Sequence, residues 1–168
     1  MTNKTLRADR WLYVATALYF VMNGAQLWET AIMVPAWTAG PPASLFFFKT
    51  AYGLDFKVFW MVVHSVHEVF LLLALLFNWQ IKQRRNAMIL LLGIHIALRV
   101  WTLQYFAPTL MQFMAMEVKP VVDQELLERA TRWKNLNYVR VGLYTLVNLG
   151  YVFISRIKDD RSFQKTIS

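Results

Sequence analysis

The sequence predicts an all-α protein, an antiparallel four-helix bundle that is integral to a membrane. Its 168 residues are 57% hydrophobic and 15% aromatic, which is too apolar for a soluble domain of this size. The apolar residues fall into four runs, each long enough to cross a bilayer, at about residues 11–34, 56–79, 87–107 and 135–155. Basic residues flank these runs, as in multi-pass membrane proteins. We therefore expect one domain, residues 1–168, with four transmembrane helices.

The first predicted span, residues 11–34, has one polar side. Four polar residues recur along it at spacings of three and four: Asn23, Gln26, Glu29 and Thr30. This spacing places them on the same face of a helix, which is expected to turn away from lipid. Pro35 and the Gly40-Pro41-Pro42 stretch follow, and they are predicted to end the helix.

The second and third predicted spans, 56–79 and 87–107, form an antiparallel pair. Only the turn 80–86 separates them, and so short a connection makes two helices neighbours. Pro108 is predicted to end the third span. The second span carries His64, His67 and Glu68, and the third carries His95 and Arg99.

The last predicted span, 135–155, follows a longer connection, residues 108–134. A charged amphipathic stretch within that connection, 123–134, is predicted to form a short separate helix before the span. The span itself has four polar residues on roughly one side: Asn137, Arg140, Tyr144 and Asn148. The two longer connections, 35–55 and 108–134, are expected to form loops on the outer side of the membrane.

The distribution of Lys and Arg predicts the orientation. Ten of the eighteen basic residues lie in three segments, namely the first ten residues, the 80–86 turn and the tail after Ser155. By the positive-inside rule these segments face the cytoplasm. We therefore predict a multi-pass protein of the cell inner membrane with cytoplasmic N- and C-termini. Because the formal charge of +8 is clustered beside apolar runs, no nucleic-acid partner is expected.

Ionisable and amide side chains from all four spans are predicted to meet at one depth. With antiparallel spans and a rise of about 1.5 Å per residue, they fall in the outer half of the bilayer. They are Glu29, His64, His67, Glu68, His95, Arg99, Asn137 and Arg140. An unpaired charge at that depth costs at least about 2.5–3.5 kcal/mol, which favours pairing of acids with bases. The set is open to two interpretations, a structural polar core or a site for chemistry.

The first chemistry that fits these residues needs no cofactor. A histidine acts as general base, Glu68 orients it, and arginines hold the oxygen anion that forms. The candidate catalytic residues are His64, His67, Glu68 and His95. The candidate substrate-binding residues within this set are Glu29, Arg99, Asn137 and Arg140.

Two cofactor sites are lower-ranked alternatives. His64, Glu68 and His95 are candidate ligands of a transition metal, because a His and a carboxylate four residues apart converge on one helix face. His67 and His95 are candidate axial ligands of a haem. Two nearby arginines would repel a metal cation, so no cofactor is favoured. The absence of cysteine excludes disulfides and thiolate ligands.

Three stretches resemble a known family. Residues 24–37 combine small and aromatic residues before a Val-Pro step, residues 101–108 run from Trp-Thr to a proline, and residues 132–140 contain Trp-x-x-x-Asn-x-x-Arg. These resemble a family of four-span membrane proteins, a domain of unknown function that includes fungal anthrone oxygenases. The positions that match are Pro35, Pro108, Trp133, Asn137 and Arg140. The resemblance implies that Trp133 is a further candidate substrate-binding residue. The histidines, Glu68 and Arg99 have no counterpart in that pattern.

The resemblance implies a four-helix membrane fold and, for the characterised members, oxidation of an anthrone to an anthraquinone by molecular oxygen. Our leading hypothesis is therefore a membrane oxidoreductase or oxygenase that acts on a lipophilic aromatic or quinone-like small molecule. The alternative is a non-enzymatic protein, either a subunit of a membrane complex or a small carrier of protons or an anion. The lipid bilayer is the expected partner in both cases, and a homo-oligomer fits either.

Overall fold

The computed structural model describes residues 3–49 and 56–157, and within these ranges all regular structure is helical. In chain order the helices are α1 (Asn3–Trp28), α2 (Val34–Thr38), α3 (Phe56–Asn78), α4 (Lys82–Trp101), α5 (Ala107–Ala115) and α6 (Gln124–Ser155). A π-helical segment joins α1 to α2 (Glu29–Met33), another joins α4 to α5 (Thr102–Phe106), and a 3₁₀ helix covers Ala43–Phe48. The all-α prediction is confirmed.

The four long helices pack as an antiparallel ring. Helix α1 packs on α3 and α6, and α4 packs on the same two helices. At one end the Asn78 amide donates to the Ala8 carbonyl at 3.0 Å, which joins the end of α3 to the start of α1. We call this the terminal end, and the opposite end, which carries both π-helical segments, the proline end.

Pro35 and Pro108 do not end the first and third helices, contrary to the prediction. Each proline occupies the second position of a short helix, α2 or α5, that continues directly from a π-helical segment. The residue before each proline, Val34 or Ala107, donates its N–H to a carbonyl five residues back. A proline is tolerated there because the first N–H groups of an α-helix need no intrahelical partner. The wide π-helical turn therefore lets the chain pass each proline.

The predicted short helix before the last span is also corrected. Helix α6 runs without a break over 32 residues, from Gln124 to Ser155, and includes that amphipathic stretch. Its start is set by Asp123, whose side chain accepts a hydrogen bond from the Leu126 N–H at 3.0 Å. No Gly or Pro occurs between residues 124 and 134, so nothing in the sequence interrupts the helix.

The sequence predicts the existence of the long helices more accurately than the residues at which they begin. Helix α3 agrees with the predicted 56–79 span to within one residue. Helix α1 starts at Asn3, eight residues before the apolar run, and α4 starts at Lys82, five residues before its run. Polar residues can extend a helix beyond the apolar segment that crosses a membrane, so hydropathy alone places these boundaries too late.

Two helices of the described chain are long and apolar enough to cross a membrane. They are Phe56–Asn78 and the continuous helix Lys82–Ala115. Only 22% and 17% of their most apolar windows are buried, whereas the core helix of a soluble protein would be mostly buried. Their outward-facing residues are large and apolar, including Val69, Leu72, Leu76, Leu90, Ile96 and Val100. An apolar exterior of this extent is the kind of surface that associates with a membrane.

One buried arginine ties the terminal end together, and we call its contacts the terminal latch. The Arg84 side chain is only 4% exposed and forms an ion pair with Asp9 of α1. Its guanidinium also donates to the Ile157 carbonyl at 2.7 Å and to Asn78 Oδ1 at 3.2 Å. A single side chain of α4 is thus bonded to residues in α1 and α3 and just beyond α6.

We expect Asp9→Asn to lower the free energy of unfolding by about 3 kcal/mol, because it leaves the buried Arg84 charge uncompensated. The double variant Asp9→Leu/Arg84→Met should recover most of the loss, since apolar replacement of both partners removes the charge altogether. Detergent-titration unfolding of the purified protein measures both. Lys82→Met, an exposed change at the same end, is the control. An Asp9→Asn variant as stable as the parent would show that the latch contributes nothing.

Candidate functional site

The structure brings polar side chains of all four long helices together in the proline-end half of the bundle. We call this set the polar core: Tyr19, Glu29, His64, His67, Glu68, His95, Arg99, Asn137, Arg140 and Tyr144. The contacts within it fall into three groups, a ring cluster of aromatic side chains, an ion pair between α3 and α4, and a network around Arg140. Each group uses residues of at least two helices, so the fold assembles the set from distant positions in the chain.

The ring cluster lies deepest. The Tyr19 hydroxyl and His95 Nδ1 are 2.9 Å apart and share a hydrogen bond across the bundle from α1 to α4. The Tyr19 ring also lies 4.4 Å from the His67 ring, and the two imidazoles are 5.4 Å apart. The Tyr144 ring contacts His95 at 5.6 Å from the fourth helix. All four side chains are 1% exposed or less, so the cluster is sealed from the bundle surface.

The sequence interpretation did not select Tyr19. Its position did carry a signal, because Tyr19 precedes Asn23 by four residues and Gln26 by seven. That spacing places Tyr19 on the polar face of the first helix, one turn deeper than Asn23. Tyr144 was noted on the polar side of the last helix without a role. Both tyrosines extend the site toward the centre of the bundle.

Glu68 and Arg99 pair with each other. Arg99 Nε donates to Glu68 Oε1 at 2.9 Å, and the two side chains are 20% and 42% exposed, respectively, at the margin between α3 and α4. The sequence predicts that Glu68 orients a histidine and that Arg99 binds an anion. The structure instead gives each residue the other as its partner, because α3 and α4 place them at the same height.

Arg140 is the centre of the third group. Its guanidinium donates to Asn137 Oδ1 at 2.6 Å and to Thr102 Oγ1 at 3.2 Å, and it lies 4.3 Å from the centre of the Phe106 ring. Asn137 in turn donates to Thr30 Oγ1 at 3.0 Å. The guanidinium is therefore held on several sides, which fixes the direction in which its remaining N–H groups point.

Glu29 and His64 lie beside this network on either side of Trp60. The Trp60 indole donates to the Glu29 carboxylate, which is also near enough to Arg140 to interact with its charge. The His64 ring lies 5.4 Å from the Trp60 ring, at an angle of 32°. His64 is within electrostatic reach of both Arg99 and Arg140. It is thus a buried histidine that interacts with the charges of two arginines.

Trp133 is a predicted substrate-binding residue, but its indole N–H and its ring already have partners within the protein. Its indole N–H donates to the Phe106 carbonyl at 3.1 Å, and the side chain is 2% exposed. It packs against Trp37 at 5.0 Å and Phe106 at 5.5 Å in an aromatic cluster at the proline end. Since Phe106 closes the second π-helical segment, Trp133 satisfies a carbonyl of that segment.

The polar core carries more hydrogen-bonding capacity than the described residues use. Buried atoms without a partner in this part of the chain include His64 Nδ1, both ring nitrogens of His67, His95 Nε2 and Arg140 Nε. A buried polar atom left unpaired costs about 1–3 kcal/mol, so several in one cluster are unusual for a purely structural core. These atoms are available to a polar ligand group.

The candidate cofactor sites do not fit this arrangement. Among residues 3–49 and 56–157, no group of three His, Asp or Glu side chains is placed to hold a metal ion. Of the proposed ligands, Glu68 is bonded to Arg99. For a haem, the His67 and His95 rings lie 5.4 Å apart with the Tyr19 ring against both, which leaves no space for a macrocycle between them.

Two surface hollows of the described chain lie away from the polar core. One surface hollow of about 520 Å³ is lined by residues of α6 between Gln124 and Leu136. Another, of about 460 Å³, lies between α1 and α3 near the terminal end. Neither hollow is lined by polar-core residues.

No protein-family model, curated protein or solved structure matches this chain. Fold and site together define the class, an all-helical protein with two helices able to cross a membrane and a buried polar core in one half of its bundle. The likeness to the anthrone oxygenase family stays a prediction.

We expect Trp133→Phe to destabilise the protein by about 1–2 kcal/mol, because it removes the buried hydrogen bond from the indole to the Phe106 carbonyl and leaves part of the Trp133 space unfilled. Trp28→Phe is the matched control, since Trp28 is 54% exposed and should change stability by less than about 0.5 kcal/mol. Unfolding midpoints of the purified variants report the difference. Equal midpoints for the two variants would contradict the structural role assigned to Trp133.

Proposed function

We propose that the chain is a four-span integral membrane protein of the cell inner membrane. Besides the two apolar helices, α1 and α6 carry large apolar residues on their outer sides: Val14, Phe20, Val21, Val139, Leu146 and Phe153. Their polar residues instead turn inward, toward the bundle axis. Apolar outside and polar inside is the arrangement that a lipid environment requires.

The orientation follows from the basic residues. Exposed Arg7, Arg10, Lys82 and Arg156 all lie at the terminal end of the bundle. By the positive-inside rule this end faces the cytoplasm, so both termini are cytoplasmic and the proline end faces outward.

Cysteine labelling tests this topology without interference, because the natural sequence has no cysteine. We expect Val121→Cys, 70% exposed between α5 and α6, to react with a membrane-impermeant maleimide on intact cells. Asn86→Cys, exposed near the start of α4, should react only after the cells are permeabilised. Labelling of both positions on intact cells would refute a four-span topology. Labelling of Asn86→Cys but not Val121→Cys on intact cells would show that the terminal end faces outward.

Within this membrane protein, the polar core is proposed to bind a lipophilic aromatic molecule that loses a proton from oxygen or an activated carbon. The observation that carries this proposal is a buried histidine, His64, with an unpaired Nδ1 atom and within electrostatic reach of Arg99 and Arg140. A neutral imidazole accepts a proton, and guanidinium groups stabilise the anion left behind. Dioxygen is the co-substrate and the oxidant. A carbon anion forms a C–O bond with it, and the resulting hydroperoxide loses water to leave a ketone, whereas a hydroquinone anion passes two electrons to it and yields a quinone and hydrogen peroxide.

His64 is a better candidate base than His67 or His95. His95 Nδ1 already shares a hydrogen bond with Tyr19. His67 lies deeper, against the Tyr19 ring, and is 1% exposed. His64 is 6% exposed and is the histidine nearest the proline end. We assign the two deeper histidines to positioning rather than to proton abstraction.

A lipophilic molecule has a route to His64 between α3 and α4. Although a short turn joins them, these helices pack together less extensively than the other three neighbouring pairs of long helices. Glu68 and Arg99 bridge the margin at the height of the polar core and remain partly exposed there. Separation of this pair would open the core sideways to the bilayer, where such a molecule is dissolved.

An apolar layer makes a transmembrane carrier the weaker alternative. Between the polar core and the terminal latch the bundle axis is filled by residues no more than 1% exposed: Leu12, Ala15, Leu71, Ala74 and Met88. Polar groups are fewer here than in the polar core, although Tyr151 packs in the same cluster and Asn148 is buried one turn before it on α6. A structural core remains the competing proposal, and the Asn137–Thr30 bond between α6 and the first π-helical segment favours it.

Oxygen consumption by the purified protein in nanodiscs, supplied with anthrones and lipophilic hydroquinones, tests the enzymatic proposal. We expect His64→Gln to lower turnover by about 100-fold or more, the contribution of a general base, with an unchanged unfolding midpoint. Ser65→Ala, the exposed neighbour on α3, is the control and should keep full activity.

Two results would contradict this assignment. Full turnover in His64→Gln would reject His64 as the base. A second result concerns binding: if none of these compounds raises the unfolding midpoint of the parent protein, and His64→Gln only lowers its stability, the polar core is structural. Glu68→Gln further distinguishes the enzymatic proposal from the structural one. If the core binds a substrate, the weakened ion pair should ease access and keep or raise oxygen consumption. If the core is structural, the variant should only lower the unfolding midpoint.

A further inference from the structure

A second binding feature lies at the terminal end, away from the polar core. A groove between α1 and α3, with a volume of about 460 Å³, is lined by Arg7, Arg10, Trp11, Val14, Phe70 and Phe77. We call it the arginine groove. Its volume falls within the range of about 300–1,000 Å³ that is typical of small-molecule sites.

The groove is cationic at one end and apolar along the rest. Arg10, Trp11 and Val14 follow Arg7 by three, four and seven positions, so all four residues share one face of α1. The Trp11 ring stacks on Phe77 at 5.2 Å with an angle of 8°, and it lies 5.8 Å from Phe70. Because α1 and α3 are antiparallel, the arginines lie at the mouth near the terminal end and Val14 lies toward the bundle centre. A ligand with an anionic head and an apolar tail matches this layout.

Both arginines are free to bind an anion. Arg7 and Arg10 are exposed, and neither forms an ion pair with any residue that the structure describes. The acid nearest in sequence, Asp9, is bonded to Arg84 in the terminal latch. Two guanidinium groups one helical turn apart thus flank the groove without a counter-charge.

We propose that the arginine groove binds an anionic phospholipid of the cytoplasmic leaflet. Arg7 and Arg10 bind the phosphate, for which the planar guanidinium is the best-matched side chain. Trp11 lies at the headgroup level, where tryptophan is enriched. One acyl chain follows Val14 and Phe70 toward the bundle centre. The proposal rests on the membrane-spanning part of the proposed function and is independent of the chemistry at His64.

An anionic lipid fits better than a zwitterionic one. A choline headgroup carries its own cation beside the phosphate, so the two arginines gain less from binding it. Basic pockets between membrane helices on the cytoplasmic side bind acidic headgroups for the same reason.

Native mass spectrometry of the full-length protein in mild detergent tests the proposal, with phosphatidylglycerol and phosphatidylcholine of identical chains as probes. The parent protein should retain phosphatidylglycerol at least about tenfold more tightly. Arg7→Gln/Arg10→Gln should weaken that binding roughly thirtyfold, about fivefold for each arginine. The control, Arg85→Gln/Arg156→Gln, removes the same charge from the same end outside the groove and should change binding less than about twofold.

A second pair of variants tests the acyl-chain part without a change in charge. Val14→Trp fills the apolar part of the groove and should weaken phosphatidylglycerol binding about tenfold, the effect of roughly two displaced methylene groups. Val21→Trp places the same side chain on α1 outside the groove, at a position 70% exposed, and should leave binding unchanged.

Three outcomes would overturn the proposal. Equal losses in both arginine double variants would show diffuse surface charge rather than a site. Displacement of the lipid by millimolar inorganic phosphate, with no effect of Val14→Trp, would show a phosphate site without a lipid. Equal retention of the two lipids would show no selection for charge. Unchanged oxygen consumption in Arg7→Gln/Arg10→Gln separates each of these failures from a failure at His64.

Discussion

The apolar outer surface of the helices is the constraint on which the rest of the structure depends. Side chains such as Leu72 and Leu90 cover the outside of the bundle, so charged groups on the inner faces of the helices must find partners inside it. Arg84 does so with Asp9 at one end, and Arg140 does so with Asn137 and Thr102 at the other. The positions of these arginines fix which helices are neighbours and at what height they meet.

The two π-helical segments supply partners for the same helix. Thr30 lies in the first segment and accepts from Asn137, and Thr102 lies in the second and accepts from Arg140. Both threonines therefore converge on one stretch of α6 from opposite sides. A widened helical turn shifts the side chains that follow it around the helix axis, and such turns occur often at functional sites. Here they aim two hydroxyl groups at the polar core and also let the chain pass a proline.

Much of the fold was predictable, because helical periodicity and hydropathy depend only on local sequence. The polar face that contains His64 and His67 was recognised from spacing alone, and the structure buries both residues. The continuation of the helices past Pro35 and Pro108 was not predictable. It depends on a local change to π-helical hydrogen bonding, which no residue type indicates. Pairing of acids with bases was expected, but the particular partner of Glu68, which is Arg99, was not identified, for another reason. This pairing depends on the relative height of α3 and α4 along the bundle. The spacing of residues within one helix gives no information about that height.

The terminal latch has a consequence for the order in which the bundle is completed during synthesis. Arg84 follows Asp9 and Asn78 in the chain, so two of its partners are already made when it leaves the ribosome. Its third acceptor, the Ile157 carbonyl, follows α6. The first three long helices can therefore assemble as an intermediate in which one guanidinium N–H still faces water, and arrival of the last helix completes the terminal end of the bundle.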